Sequence, residues 1–135
     1  MEIHNVIFFE GTNLLKIIGL GRDAVRSHIN KEYTERKKAD FAENTTDFYD
    51  AYHVYYDADN ICEAIELCDL GISVFIDGVE VLGKPRGIAK SIMQKLDCNS
   101  VDDGYGIISK ALSIGITCPF ETVEGILVGR KAYYE

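Results

Sequence analysis

The chain has 135 residues, of which 47% are hydrophobic and 27% charged, which fits one globular domain and excludes a disordered chain. Its net charge of −8 argues against a general role in binding DNA, RNA or an anionic lipid surface. No apolar run approaches a membrane span, and Met1-Glu2-Ile3-His4-Asn5 has neither a basic n-region nor a cleavage site, so a cytoplasmic protein is expected.

In chain order, Val6-Ile7-Phe8-Phe9 and the apolar run 14–18 read as strands, and Gly19-Leu20-Gly21 breaks the pattern. Residues 22–33 follow as a helix with Val25 and Ile29 on its apolar face, and 30–40 as an exposed polar helix end and loop. Residues 52–56 and 61–68 form a hairpin candidate around Asp57-Ala58-Asp59-Asn60. Residues 72–76 form the next strand, closed by Asp77-Gly78, a dipeptide that favours a tight turn, before 79–82 extends the chain back. A second helix over 85–97 begins at Pro85 and carries a stripe of Ile88, Ala89, Ile92, Met93 and Leu96. Residues 97–106 read as a polar loop, 107–117 as an apolar segment interrupted by Gly115, and 122–134 as the last strand region.

The order β-α-β-β thus occurs twice, as pseudo-repeats over about 6–68 and 72–135. An offset of 67 places Phe9-Glu10-Gly11 on Ile76-Asp77-Gly78, Val25 on Ile92 and Ile29 on Leu96; looser matching pairs 61–67 with 123–129. The expectation is a single α+β domain over 1–135, with an antiparallel sheet and two helices packed on it.

Charge is unevenly spread. No lysine or arginine lies between Lys38 and Lys84, yet that stretch holds 11 of the 22 carboxylates and four of the eight tyrosines. A block of one sign attracts a basic partner, and tyrosine is enriched at interfaces. Asp47, Tyr49, Asp50, Tyr52, Tyr55, Asp57 and Asp59 are the candidate partner-binding residues; strand alternation requires that some of these tyrosines face inward. The short basic run Arg36-Lys37-Lys38 reads as a solvated turn.

Other motifs point to less. Gly19-x-Gly21-x-x-Ala24 has the local context of a dinucleotide fingerprint, so a nucleotide-cofactor enzyme is the alternative reading. The polar segment 30–38 stands where a Rossmann unit needs an apolar strand. Asp57-x-Asp59-Asn60 begins like a calcium loop, but Cys62 and Cys68 occupy the positions that require Gly and Glu. His4, His28 and His53 lack metal-ligand spacing along the chain, and Cys62, Cys68, Cys98 and Cys118 form no C-x-x-C pair. Neither metal nor cofactor is expected, and the thiols are expected to stay reduced.

Several segments together resemble a known group. They are Ile18-Gly19-Leu20-Gly21 followed by Arg22-Asp23-Ala24-Val25, and Val54-x-Tyr56-Asp57 with the strand 61–67. Val74-Phe75-x-x-Gly78 with Leu82-Gly83, Ser113-Ile114-Gly115-Ile116 and the terminal Tyr133-Tyr134-Glu135 complete the set. The pattern resembles a family of small bacterial proteins that includes immunity proteins of contact-dependent growth inhibition and other polymorphic toxin systems. The chain departs from it at Arg22, where a small hydroxyl residue is usual, and after Ile116, where an aromatic-rich segment is reduced to Phe120. The resemblance implies a non-catalytic cytoplasmic inhibitor that binds one cognate toxin domain and blocks its active site or substrate surface. It leaves the oligomeric state and the toxin's chemistry open. Toxins that act on nucleic acid are commonly basic, which suits an acidic inhibitor. A regulatory or scaffold subunit is a third reading.

Overall fold

The computed structural model describes residues 7–9, 14–68 and 71–135. Val6, Glu10 and Gly11, used above, lie outside them, as do His4 and Asp69, one of the 11 acids counted between Lys38 and Lys84. Chain order runs β1 (Ile7–Phe9), a 3-10 helix (Leu14–Ile17), α1 (Arg22–Ile29), β2 (Thr34–Arg36), β3 (Thr46–Phe48), β4 (Tyr52–Tyr56) and β5 (Cys62–Leu67). It continues with β6 (Val74–Ile76), β7 (Val79–Glu80), α2 (Arg86–Leu96), β8 (Val101–Asp102), β9 (Gly106–Ser109), β10 (Ile114–Thr117) and β11 (Gly125–Gly129). The architecture is α+β, with every named strand pairing antiparallel. An eight-stranded sheet has the order β2-β3-β4-β5-β11-β10-β9-β8, and a three-stranded sheet the order β1-β6-β7. Among the described residues no helix is long and apolar enough to cross a membrane.

The large sheet has a covered inner face. Val54, Ile65, Val128 and Ile114 pair in one row across β4, β5, β11 and β10, and all four are fully buried. They share one hydrophobic cluster with Val25 of α1, Ala89, Ile92 and Met93 of α2, and Val74 and Ile76 of β6. The next row, shifted by one residue, faces outward and runs Phe48-His53-Glu66-Leu127-Gly115-Ile108-Val101 from β3 to β8. The C-terminal tyrosines cover part of that face. A methyl on Gly115 would lie 2.0 Å from the Tyr134 hydroxyl oxygen, and one on Gly129 would lie 2.4 Å from Tyr133 Cβ, so both glycines are seats for the tail.

Local chemistry explains most boundaries. Asn30 ends α1 in the left-handed conformation (φ 50°), which asparagine tolerates, so the helix stops four residues short of the expected 33. The polar stretch that follows holds β2, an edge strand whose three residues are all exposed, so it carries no apolar signal. The run 14–18, expected as a strand, is a 3-10 turn in which Ile18 N–H donates to Leu15 O. Asp77 and Gly78 both have positive φ (50° and 79°) and join paired Ile76 and Val79 as a two-residue hairpin turn. The 107–117 segment breaks at 110–113, not at Gly115, which lies inside β10.

The two halves share part of their hydrogen-bond pattern, although four strands, not the two expected, follow each helix, and a 3-10 turn stands in the first half where β7 stands in the second. β2–β5 and β8–β11 run inward from opposite edges to meet at the β5–β11 pair. Phe8 pairs with Phe75, its counterpart at the 67-residue offset. Ahead of each helix the same three backbone bonds recur. In the first half Gly19 N–H donates to Cys62 O, Cys62 N–H to Leu20 O and Arg22 N–H to Asn60 O; in the second, Gly83 donates to Val123, Val123 to Lys84 and Arg86 to Glu121. These bonds put Arg22 on Arg86 and hence Val25 on Ala89, three residues from the Val25–Ile92 match expected from sequence.

Candidate functional site

Asp47 sits on the central residue of β3 opposite Val54, which turns its side chain into the core, where it is fully buried. Its charge is answered from α1, where Arg22 and Arg26 are one turn apart on one face. Arg26 clamps both carboxylate oxygens, Nε to Oδ2 at 2.9 Å and a terminal nitrogen to Oδ1 at 2.7 Å. Arg22 approaches Oδ1 at 3.4 Å, and the Tyr56 hydroxyl donates to Oδ2 at 2.9 Å. Arg26 also reaches Glu35 at 2.7 Å, and the hydrogen bond from Arg26 holds the Glu35 carboxyl below its ordinary range. Arg22 stacks over the Tyr56 ring (4.0 Å) and Arg26 over the Tyr33 ring (4.4 Å). The Asp47 bond raises the Arg26 guanidinium further above its ordinary value, against an opposing effect of burial. The acidic block is thus neutralised here by arginines from outside it, a pairing that position along the chain conceals.

Four of the seven candidate partner residues are therefore structural. Asp47 is locked in the ion-pair network, while Tyr49 and Tyr52 are buried in the main core, their rings stacked at 5.1 Å. Tyr55 is on the opposite face, where alternation alone predicts exposure, yet it too is buried. Lys38 lies over its ring at 4.5 Å and its hydroxyl donates to Glu66 at 3.0 Å. Burial, then the Glu66 charge, push its ionisation well above the ordinary tyrosine value. Asp50 is exposed, but in a separate groove of about 690 Å³ beside Arg26, Lys31 and Tyr33, where charges are mixed.

Asp57 and Asp59 are brought together with acids that the sequence reading did not single out. A groove of about 480 Å³ is lined by Glu43, Asp57, Asp59 and Glu63, with Lys38 and Arg130 as its basic members. Tyr55 and Tyr133 supply its aromatic wall. Asp57 Oδ1 accepts from the Asp59 and Ile61 backbone N–H groups, which fixes the β4–β5 turn, while its Oδ2 accepts from Arg130 at 2.7 Å. The Ile61 backbone bond, then the Arg130 bond and, to a lesser degree, the Asp59 backbone bond lower its pKa. Arg130 also approaches Glu63 at 3.6 Å. Glu43 and Asp59 make no ion pair among the described residues and stand in solvent. Arg130 comes from just after β11, 73 residues from Asp57, so no local pattern signals it.

The Gly19-Leu20-Gly21 turn has its own explanation. Gly19 has φ 94°, a conformation only glycine adopts without strain. The N–H groups of Gly19, Leu20 and Arg22 are donated to Cys62, Ile17 and Asn60, leaving none of these three for a phosphate. A 3-10 turn directly precedes it and the pairing around it is antiparallel, so the described residues do not give it the parallel β-α-β context of a dinucleotide site. Comparison with protein-family models, curated proteins and solved structures finds no match to the chain.

Proposed function

We propose that the chain is an inhibitor of the immunity-protein type, which binds a cognate, basic, nuclease-type toxin domain and blocks its active site or substrate surface. The observation that carries this reading is the acidic groove at the β4–β5 turn, where four carboxylates face two basic side chains. Glu43 and Asp59 are its exposed, unpaired charges, and Tyr55 and Tyr133 give it an aromatic wall on a rigid sheet. Rim charges of this kind steer encounter with an oppositely charged partner and act mainly on the association rate. The partner surface therefore centres on Glu43, Asp59 and Glu63, with Asp57 as the residue that shapes the turn.

The test is co-expression with a basic toxin domain encoded beside the chain's gene, read as complex formation and cell survival. Glu43→Lys/Asp59→Lys should keep the fold and slow association at least tenfold at low salt, with a smaller loss at high salt. A double variant that associates and protects like the parent removes this groove from the interface. No complex with any neighbouring toxin domain would remove the immunity reading.

A further inference from the structure

The outer face of the sheet carries a second constellation, separate from the acidic carboxylates of the groove. His53 of β4 and Glu66 of β5 are directly paired in the ladder. Cys68 follows Glu66 by two residues and so returns to the same face, its N–H directed to Ala51 O at 3.5 Å. His53 Nε2 lies 3.8 Å from Cys68 Sγ, and His53 Nδ1 lies 3.5 Å from Glu66 Oε1. One donor atom from each of the three residues lies within 4.8 Å of the other two. We propose that His53, Glu66 and Cys68 form a three-ligand site for a transition-metal dication of the zinc class, with a fourth position open to water or to an incoming ligand.

The donor set selects the cation. Imidazole nitrogen, thiolate sulfur and a single carboxylate suit a borderline-soft ion, whereas calcium and magnesium need several oxygens. Zinc bond lengths of roughly 2.0–2.3 Å put neighbouring ligand atoms of a tetrahedron about 3.3–3.6 Å apart. The cluster needs to close by little more than about 1 Å from its present separations. Charge also balances: thiolate and carboxylate together neutralise the dication, and the thiol proton leaves to solvent.

The surroundings hold the ligands in place. The Tyr55 hydroxyl donates to Glu66 Oε1 at 3.0 Å, the kind of outer bond that orients a ligating carboxylate. The Phe48 ring packs edge-on against the His53 ring with centroids 4.5 Å apart, which restrains the imidazole plane. Two ligands sit on paired strands and not on loops, and the side chains of His53 and Glu66 are 27% and 31% exposed, so an ion can enter without unfolding. The motif is His on one strand and Glu-x-Cys on its neighbour, which becomes visible only once the hairpin register is known.

Cobalt(II) is the probe, because it takes zinc geometry and reports sulfur ligation. The reduced full chain, freed of metal by chelation, should bind one equivalent. The complex should show a thiolate-to-cobalt charge-transfer band with the visible bands of a four-coordinate ion, and one equivalent of zinc should abolish both. Cys68→Ser should lose the charge-transfer band and Cys98→Ser should keep it, while His53→Gln and Glu66→Gln should each weaken binding at least tenfold. Circular dichroism shows whether each variant is folded. In the unmutated chain, zinc should slow iodoacetamide labelling of Cys68 at least tenfold, as read by peptide mass spectrometry, which needs no variant. The proposal is overturned by absence of a thiolate band, by a band that survives in folded Cys68→Ser, or by Cys68 labelling that zinc does not change. The last outcome with rapid labelling would identify the trio as an imidazole-activated thiol instead.

Discussion

At single-residue scale the fold leans on Asp47, a fully buried carboxylate with donors from Arg22, Arg26 and Tyr56. Removing one partner of such a network strands the others. Asp47→Asn should cost about 3–5 kcal/mol in urea unfolding, because two part-buried guanidinium groups lose their counter-ion. An unfolding midpoint equal to that of the parent would show that Glu35 alone satisfies the arginines. Two buried tyrosines provide a matched contrast. Tyr56 donates to Asp47, so Tyr56→Phe should cost about 1.5–3 kcal/mol. The Tyr49 hydroxyl is buried with no hydrogen-bond partner among the described residues, and burial first, then the Asp47 charge, push its pKa up to about 12. Tyr49→Phe should therefore gain about 1 kcal/mol. A loss as large as that of Tyr56→Phe would contradict the assignment.

At the scale of elements, glycine marks where backbone or tail comes close. A methyl on Gly106 of β9 would meet Ile116 O at 2.4 Å, and that obstacle is the backbone of the paired strand. At Gly115 the obstacle is the hydroxyl of Tyr134, which can swing away. Gly106→Ala should therefore cost about 1–3 kcal/mol by parting β9 from β10, and Gly115→Ala less. Hydrogen exchange should open the β9–β10 ladder in the first variant and loosen only the C-terminal tail in the second; the reverse ranking would refute this account. The same elements show what was readable in advance. Apolar runs and turn residues identified β4, β5 and the Asp77-Gly78 turn, and Pro85 with the helical stripe identified α2. They could not identify β2, which buries nothing, or the 14–18 turn, whose apolar residues around Lys16 fit a strand equally well. Gly115 read as a break because a glycine under a distant tyrosine looks, in sequence, like a glycine in a turn. The site was legible at Asp57 and Asp59, whose turn chemistry is local. It was illegible at Asp47, whose arginines lie 21 and 25 residues earlier, and at Tyr55, buried on the face where alternation promised solvent.

For the molecule as a whole, the buried phenols and the bonded carboxylates set the two edges of its stability in pH. Asp57, Asp102 and Asp103 have folded pKa values below their unfolded ones, chiefly through backbone N–H bonds. Their contribution is present above the ordinary aspartate value of about 3.9 and is lost as pH falls through the lower folded values. On the alkaline side the direction is opposite. Burial is the leading cause that raises Tyr49, Tyr55, Tyr56, Tyr133 and Tyr134. A phenol raised in the folded state contributes stability that is fully present below about pH 10 and is lost as pH rises through the folded value. Five such groups in one chain should make alkaline unfolding cooperative. Tyrosinate absorbance and far-UV circular dichroism, recorded together above about pH 10, should change over the same narrow interval. Smooth ionisation of all eight tyrosines near their ordinary value, with the native dichroism retained, would mean that the tail and the inner tyrosines are open to solvent. The outer face would then be bare, and the Tyr55 and Tyr133 rings would be open to a partner over their whole surface and not only where they line the acidic groove.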